Sequence, residues 1–152
     1  MDTSFDVIVL GLGAFGAATT YQLAKAGARV LGLDRYSPPH IYGSTHGETR
    51  ITRLACGEGP EYTPFARHSH EIWRDFERAT GETLLKQNGL LVISGPGKRA
   101  AAHGKEDFLN STAAIARAHD VAHERLDDAA IRARFPAFAI ADGDEAYFEP
   151  EA

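Results

Sequence analysis

Apolar positions change their period along this chain, and each change marks an element. Phe5 to Leu10, FDVIVL, is a short apolar, β-branched run ending at a glycine, which predicts a buried parallel strand. Gly11, Gly13 and Gly16 then stand in G-x-G-x-x-G spacing, a helical stretch continues through Lys25 and closes at Gly27, and a second apolar run, Ala28 to Leu33, ends at Asp34. Pro38 and Pro39 forbid regular structure next. SPPHIYGSTHGE is therefore a loop leaving the carboxyl end of the second strand, the edge where open α/β sheets bind ligands.

Helical periodicity returns over Thr63 to Ala79, where Phe65, Ile72, Trp73 and Phe76 recur behind Pro64 and before Gly81, an amphipathic helix with Trp73 in its core. TLLKQNGLLVIS reads as a strand region, with Asn88-Gly89 able to form a two-residue hairpin turn. Lys105 to Ala118 predicts a helix of modest amphipathicity, and Asp127 caps a short helix that stops before Pro136.

Composition narrows the classes. At 152 residues and net charge −5 the chain is one domain, or one part of a larger protein, with ordinary globular proportions. Its acidic balance and scattered Lys and Arg argue against nucleic acid, and no apolar run approaches the ~20 residues that span a bilayer. The acid near the N-terminus does not suit a signal peptide, so the expectation is a cytoplasmic protein without a membrane partner. Cys56 is the only cysteine, so no disulfide forms within the chain, and the Asn110-Ser111-Thr112 sequon has no secretory context. His68 and His70, two apart on a helix, point to different faces and do not suit a shared metal; His103, His119 and His123 read as solvated, and no metal site is expected.

The glycine turn carries the clearest chemistry. Gly11 permits the tight turn, Gly13 lets the backbone approach a pyrophosphate, and Gly16 lets helix and strand pack closely. The helix N-terminus offers N–H groups and the positive end of its dipole to phosphates. Asp34, at the tip of the second strand, can accept both hydroxyls of an adenosine ribose and would repel a 2′-phosphate, which disfavours NADP. NAD and FAD both fit this cradle.

The loop continues into GSTHGETRITR, Gly43 to Arg53, which gathers cations and hydrogen-bonding side chains at that edge. An exposed edge strand and a ligand site both fit its composition. A regular strand would point Arg50 and Arg53 to opposite faces, whereas a helical turn would bring them together.

From Pro38-Pro39-His40 through GSTHGETRITR and GEGPEYTPFARHSHEIW, the sequence closely resembles the monomeric sarcosine oxidase and N-methyltryptophan oxidase family, flavoprotein amine oxidases of the D-amino-acid-oxidase superfamily. Weaker echoes lie at NGLLVISGPG, AAIRARFP and AYFEPEA. The resemblance implies an α/β fold: a Rossmann-like FAD-binding βαβ unit, residues 1–83 being the first part of the FAD-binding domain, then the start of an α+β substrate domain over 84–152, incomplete at the C-terminus. It favours one irregular strand over a hairpin at Asn88-Gly89. It implies oxidation of a small secondary amino acid or amine by hydride transfer to FAD, with molecular oxygen reoxidising the flavin to give hydrogen peroxide.

By the same resemblance Gly11, Gly13, Ala14, Phe15, Gly16, Asp34, Arg35, Ser44, His46 and Arg50 hold the cofactor. His46 and Arg50 pack against the isoalloxazine ring, with Thr49 a neighbouring polar contact, and these three serve catalysis; Arg53 grips the substrate carboxylate. Side-chain chemistry agrees: an always-charged guanidinium stabilises negative charge developing on a reduced flavin, and its planar fork matches a carboxylate. The family's proteins continue beyond Glu149-Pro150-Glu151-Ala152 into a second half that holds the oxygen-activating lysine, a second cation and the cysteine that binds FAD covalently. Cys56 does not stand in that cysteine's place, and the chain by itself is expected to lack oxidase activity. The competing readings are an NAD-dependent dehydrogenase, which leaves the Gly43–Arg53 cluster without a reason, and a non-catalytic dinucleotide-binding fragment.

Overall fold

A computed structural model describes residues 4–47, 50–96 and 107–152. Along them run β1 (Val7–Leu10), α1 (Ala14–Lys25), β2 (Val30–Leu33), α2 (Tyr62–Thr80), β3 (Leu90–Ser94), α3 (Phe108–Ala118), β4 (Glu124–Leu126), α4 (Asp128–Arg134) and β5 (Glu145–Glu149). The chain falls into two compact units, Met1–Arg50 and Ile51–Ala152.

The first unit is the expected strand–helix–strand. β1 and β2 pair in parallel from Val7 opposite Val30 to Leu10 opposite Leu33, with α1 as the crossover. Gly27, at φ +88°, adopts the left-handed backbone that ends α1 and turns the chain into β2. The strands are not buried as the sequence suggests: Val9 faces α1 across Gly16, but Ile8 and Leu10 are 56% and 80% exposed. Only α1 covers this sheet among the described residues, so the apolar run keeps one face open.

The second unit is an antiparallel sheet of order β3-β5-β4, in which Leu90 to Ser94 pair with Glu149 to Glu145 and Glu124 pairs with Phe148. α3 packs on β3 and β5, and α4 on β4 and β5. Leu54, Ala55, Leu109, Ala113, Ala116, Val121 and Tyr147 form one core; Leu126, Ile131 and Ala146 form a second, flanked by Phe135 and Phe148. Asp107 caps α3 by accepting the Asn110 amide at 3.3 Å, and Asp127 caps α4 by accepting that of Ala130 at 2.8 Å. The expected start of α3 at Lys105 lies outside the described residues.

Two sequence expectations change here, for Trp73 and for the histidines, and the hairpin that the resemblance disfavours at Asn88-Gly89 is absent. Trp73 is 43% exposed and meets Phe76 at 6.4 Å between ring centroids, because no helix or strand among the described residues packs extensively along α2. Asn88-Gly89 makes no hairpin: Gly89 donates its amide to Ala152 at 3.1 Å, and β3 takes β5 as its partner. His119 and His123 are half-buried rather than solvated, His123 being stacked on Tyr147 at 5.4 Å, while His103 lies outside the described residues.

Candidate functional site

Within the first unit a cleft of about 580 Å³ opens at the carboxyl ends of β1 and β2. Of the expected cofactor residues Gly11, Gly13, Ala14, Asp34 and Ser44 line it. The three glycines are needed for different reasons. Gly11 sits at φ +89°, a conformation side chains disfavour. At Gly16 a Cβ would lie 1.7 Å from the Gly11 carbonyl oxygen, so any side chain there drives α1 off the turn. Gly13 has neither constraint: its φ is −66°, and among the described residues a Cβ would meet only Thr45 Oγ1 at 3.9 Å. The space a side chain would fill at Gly13 is the cleft itself.

Gly13 is also the N-cap of α1, and among the described residues no side chain caps that helix or puts an acid in its first turn. Its N-terminal amides and dipole are thus aimed into the cleft, the arrangement that suits an anion such as a pyrophosphate.

Asp34 closes the other side. Its Oδ2 accepts the Leu12 amide at 2.5 Å, tying the acid to the glycine turn, and its Oδ1 accepts the Tyr36 amide at 3.0 Å and meets His40 Nε2 at 3.2 Å. These donors, the Tyr36 amide first, hold the carboxyl at about 2, so it is ionised throughout the neutral range. His40 is a cleft residue that the sequence does not single out; its position six residues past the acid, in a loop turned by two prolines, is the signal that points to it. Tyr36 and Tyr42 flank it, their rings 4.3 Å apart.

The other expected cofactor residues lie away from this lining. Phe15 is 91% exposed, Arg35 is exposed with its guanidinium 5.4 Å from the Tyr36 ring, and His46 and Arg50 are exposed on the following loop, Arg50 reaching across Gly47. Thr49 lies outside the described residues.

Arg53 belongs to the second unit and lines a separate cavity of about 490 Å³ with Thr52, Cys56, Glu58, Tyr62 and Phe65. Residues 50–53 form neither strand nor helix. Arg53 Nη2 pairs with Glu58 Oε1, both side chains about a quarter exposed, while its Nε is buried with no hydrogen-bond partner among the described residues. Thr52 Oγ1 lies 3.0 Å from Nε2 of His70, whose pKa burial pushes below the ordinary imidazole value. His68 pairs with Glu71 at the surface, so the two histidines do face apart. Among the described residues no three His, Cys, Asp or Glu side chains gather as a metal site, and no helix is long and apolar enough to cross a membrane.

A family model described as FAD dependent oxidoreductase matches residues 6–152. The chain belongs to this FAD-dependent oxidoreductase family. It is 41% identical over 150 residues to a monomeric sarcosine oxidase of Bacillus sp. (strain NS-129), covering 99% of this chain and 37% of that protein. It is 37% identical over 147 residues to an N-methyl-L-tryptophan oxidase of Yersinia pestis (strain Pestoides F), covering 97% and 38%. Among solved structures it is similar to NikD, an amino acid oxidase essential for nikkomycin biosynthesis, with a TM-score of 0.77 at 26% identity over 97% of this chain and 36% of that one. The chain thus spans little more than a third of the relatives it matches, and the α/β, Rossmann-type expectation for the family's nucleotide unit is met by β1-α1-β2.

Proposed function

We propose that the natural protein is an FAD-dependent oxidase of secondary amino acids, of the sarcosine or N-methyl amino acid type. Gly13 carries the dinucleotide part of this reading, since among the described residues neither its backbone nor a close neighbour requires glycine and a bound pyrophosphate does, while the family match and the 41% identity to a monomeric sarcosine oxidase support FAD and a secondary amino acid. In this reading the α1 amides receive the phosphates and Asp34 accepts the adenosine ribose hydroxyls. Leu12 holds the acid in place through its amide, and Ser44 lines the same cleft. Ala14, Phe15, Gly16, Arg35, His46 and Arg50 complete the cofactor site, with residues 1–83 contributing to the FAD-binding domain and 84–152 to the substrate domain.

When bound, FAD supplies a two-electron acceptor for the carbon beside the substrate nitrogen, with molecular oxygen as final oxidant and hydrogen peroxide as product. Arg50, always charged, stabilises negative charge beside the ring, with His46 and Thr49 as polar neighbours. Arg53 receives the substrate carboxylate; its unpartnered Nε is a donor still to be satisfied beside a cavity, and Glu58 orients the guanidinium from the other side. The protein works in the cytoplasm in this reading. The test is peroxide release by the natural protein with sarcosine, N-methyltryptophan, proline and pipecolate. Turnover of at least one is expected, and no peroxide from any secondary amino acid would overturn the proposal.

A further inference from the structure

Glu149 is the last residue of β5 and is completely buried, yet nothing in the reading above uses it. Its carboxylate takes three donors: Oε1 accepts the Leu54 amide at 2.6 Å, and Oε2 accepts the Ala55 amide at 3.2 Å and the Tyr147 hydroxyl at 2.7 Å. A buried carboxylate needs such partners, but an apolar core would have needed no carboxylate. The two amides belong to the residues directly after Arg53. Because the Leu54 N–H and the Arg53 carbonyl share one planar peptide, holding the first orients the second. Cys56 Sγ lies 3.7 Å from that carbonyl on the other side. The next turn is wedged as well, since a Cβ on Gly57 would lie 2.4 Å from Thr112 Oγ1 on α3.

We propose that Glu149 is a positioning residue for substrate binding: by clamping the Leu54 and Ala55 amides to the end of β5, it fixes the backbone from which Arg53 reaches into its cavity. This rests on the assignment of Arg53 to the substrate carboxylate. Leu54 and Ala55 are 6% and 0% exposed in the core, so the peptide before them has little freedom of its own once the clamp is closed. Glutamine is not an equivalent there. It offers one acceptor oxygen and an NH₂ group, so at least one of the three donors would face another donor.

The test uses the natural flavin-loaded protein and two substrates, an N-methyl amino acid and the matching N-methyl amine without its carboxylate. Glu149→Gln is expected to raise KM for the amino acid by about tenfold to a hundredfold, the scale of a displaced binding group, with kcat and the amine reaction changed by less than about threefold. Hydrogen exchange at the Leu54 and Ala55 amides should accelerate in the same variant. Equal losses on both substrates, or no loss on either, would overturn the proposal and leave Glu149 a packing residue. If Glu149→Gln does not load flavin, Tyr147→Phe, which removes one donor and keeps the shape, is expected to show the same selectivity at a few-fold level; equal effects on both substrates would again overturn it. Arg53→Ala is measured alongside. If Arg53→Ala does not discriminate between the two substrates, the carboxylate assignment falls and this inference with it. If Arg53→Ala discriminates and the Glu149 variant does not, only the inference falls.

Discussion

The two compact units hold their candidate residues by opposite means. Among residues 4–47 no side chain is buried, and the glycine cleft is shaped by the backbone itself: the Gly11 turn, the contact of Gly16 with Gly11, and the Asp34 carboxylate on the Leu12 amide. Among the described residues beyond Ile51 there are two cores, and Glu149, 95 residues from Leu54, holds the amide that follows Arg53. A site made of backbone is broken by a single added methyl and is indifferent to packing elsewhere. One held by a core responds in the opposite way.

Gly16→Val should have the largest effect. With a Cβ 1.7 Å from a carbonyl oxygen, the glycine turn cannot close, and both cofactor binding and the cooperative melting of the first unit should be lost. Retained flavin in this variant would mean the turn relaxes around the side chain and that backbone contact does not define the cleft.

Next in size, Ile131→Ala in the fully buried second core should cost about 2 to 5 kcal/mol of unfolding free energy, measured by urea denaturation, and leave flavin content alone while the protein is folded. Flavin loss in step with stability would erase the contrast between the units.

Asp34→Asn should weaken flavin affinity by roughly tenfold to a hundredfold, the range of a hydrogen bond to a charged group. The sign of the pH effect follows from the lowered pKa. The contribution of the carboxylate to the fold is complete above its ordinary value of 3.8 and is lost as pH falls through about 2, so acid unfolding of the flavin-free wild type should include a step in that window and the variant should show no such step. Matching acid profiles would place the titrating group elsewhere.

The smallest effect is assigned to Trp73→Ala. In the 152-residue chain, with Trp73 43% exposed, thermal denaturation should shift by the equivalent of about 1 kcal/mol or less. A core-sized loss would show that α2 is covered.

The same contrast explains what could be read in the sequence. The β1-α1-β2 unit was legible because each of its constraints lies within a few residues of its cause: glycine spacing, a helix between apolar runs, an acid at a strand end. His40 was within reach of the same reasoning, as a loop side chain close in sequence to the acid it contacts. Nothing local announces Glu149, whose partners Leu54 and Ala55 come from the far side of α2, β3, α3, β4 and α4. Trp73 was misplaced for a related reason. Helical periodicity tells which face is apolar, and not whether another element covers it. The pairing of Arg53 with Glu58 was also hidden, because the glutamate follows only after a turn whose irregular path the sequence does not specify.

The central claim is that the space above Gly13 belongs to a dinucleotide, and flavin content of Gly13→Val tests it most directly. The natural protein should be purified beside this variant, with released cofactor identified by chromatography and folding followed by circular dichroism. A yellow wild type that releases FAD is expected, and a colourless variant with the far-ultraviolet spectrum of the wild type and the melting temperature of the flavin-stripped wild type, since among the described residues a side chain at Gly13 has room but takes the room of the pyrophosphate. A variant that keeps its full flavin, or a wild type that releases a nicotinamide cofactor instead, would contradict it.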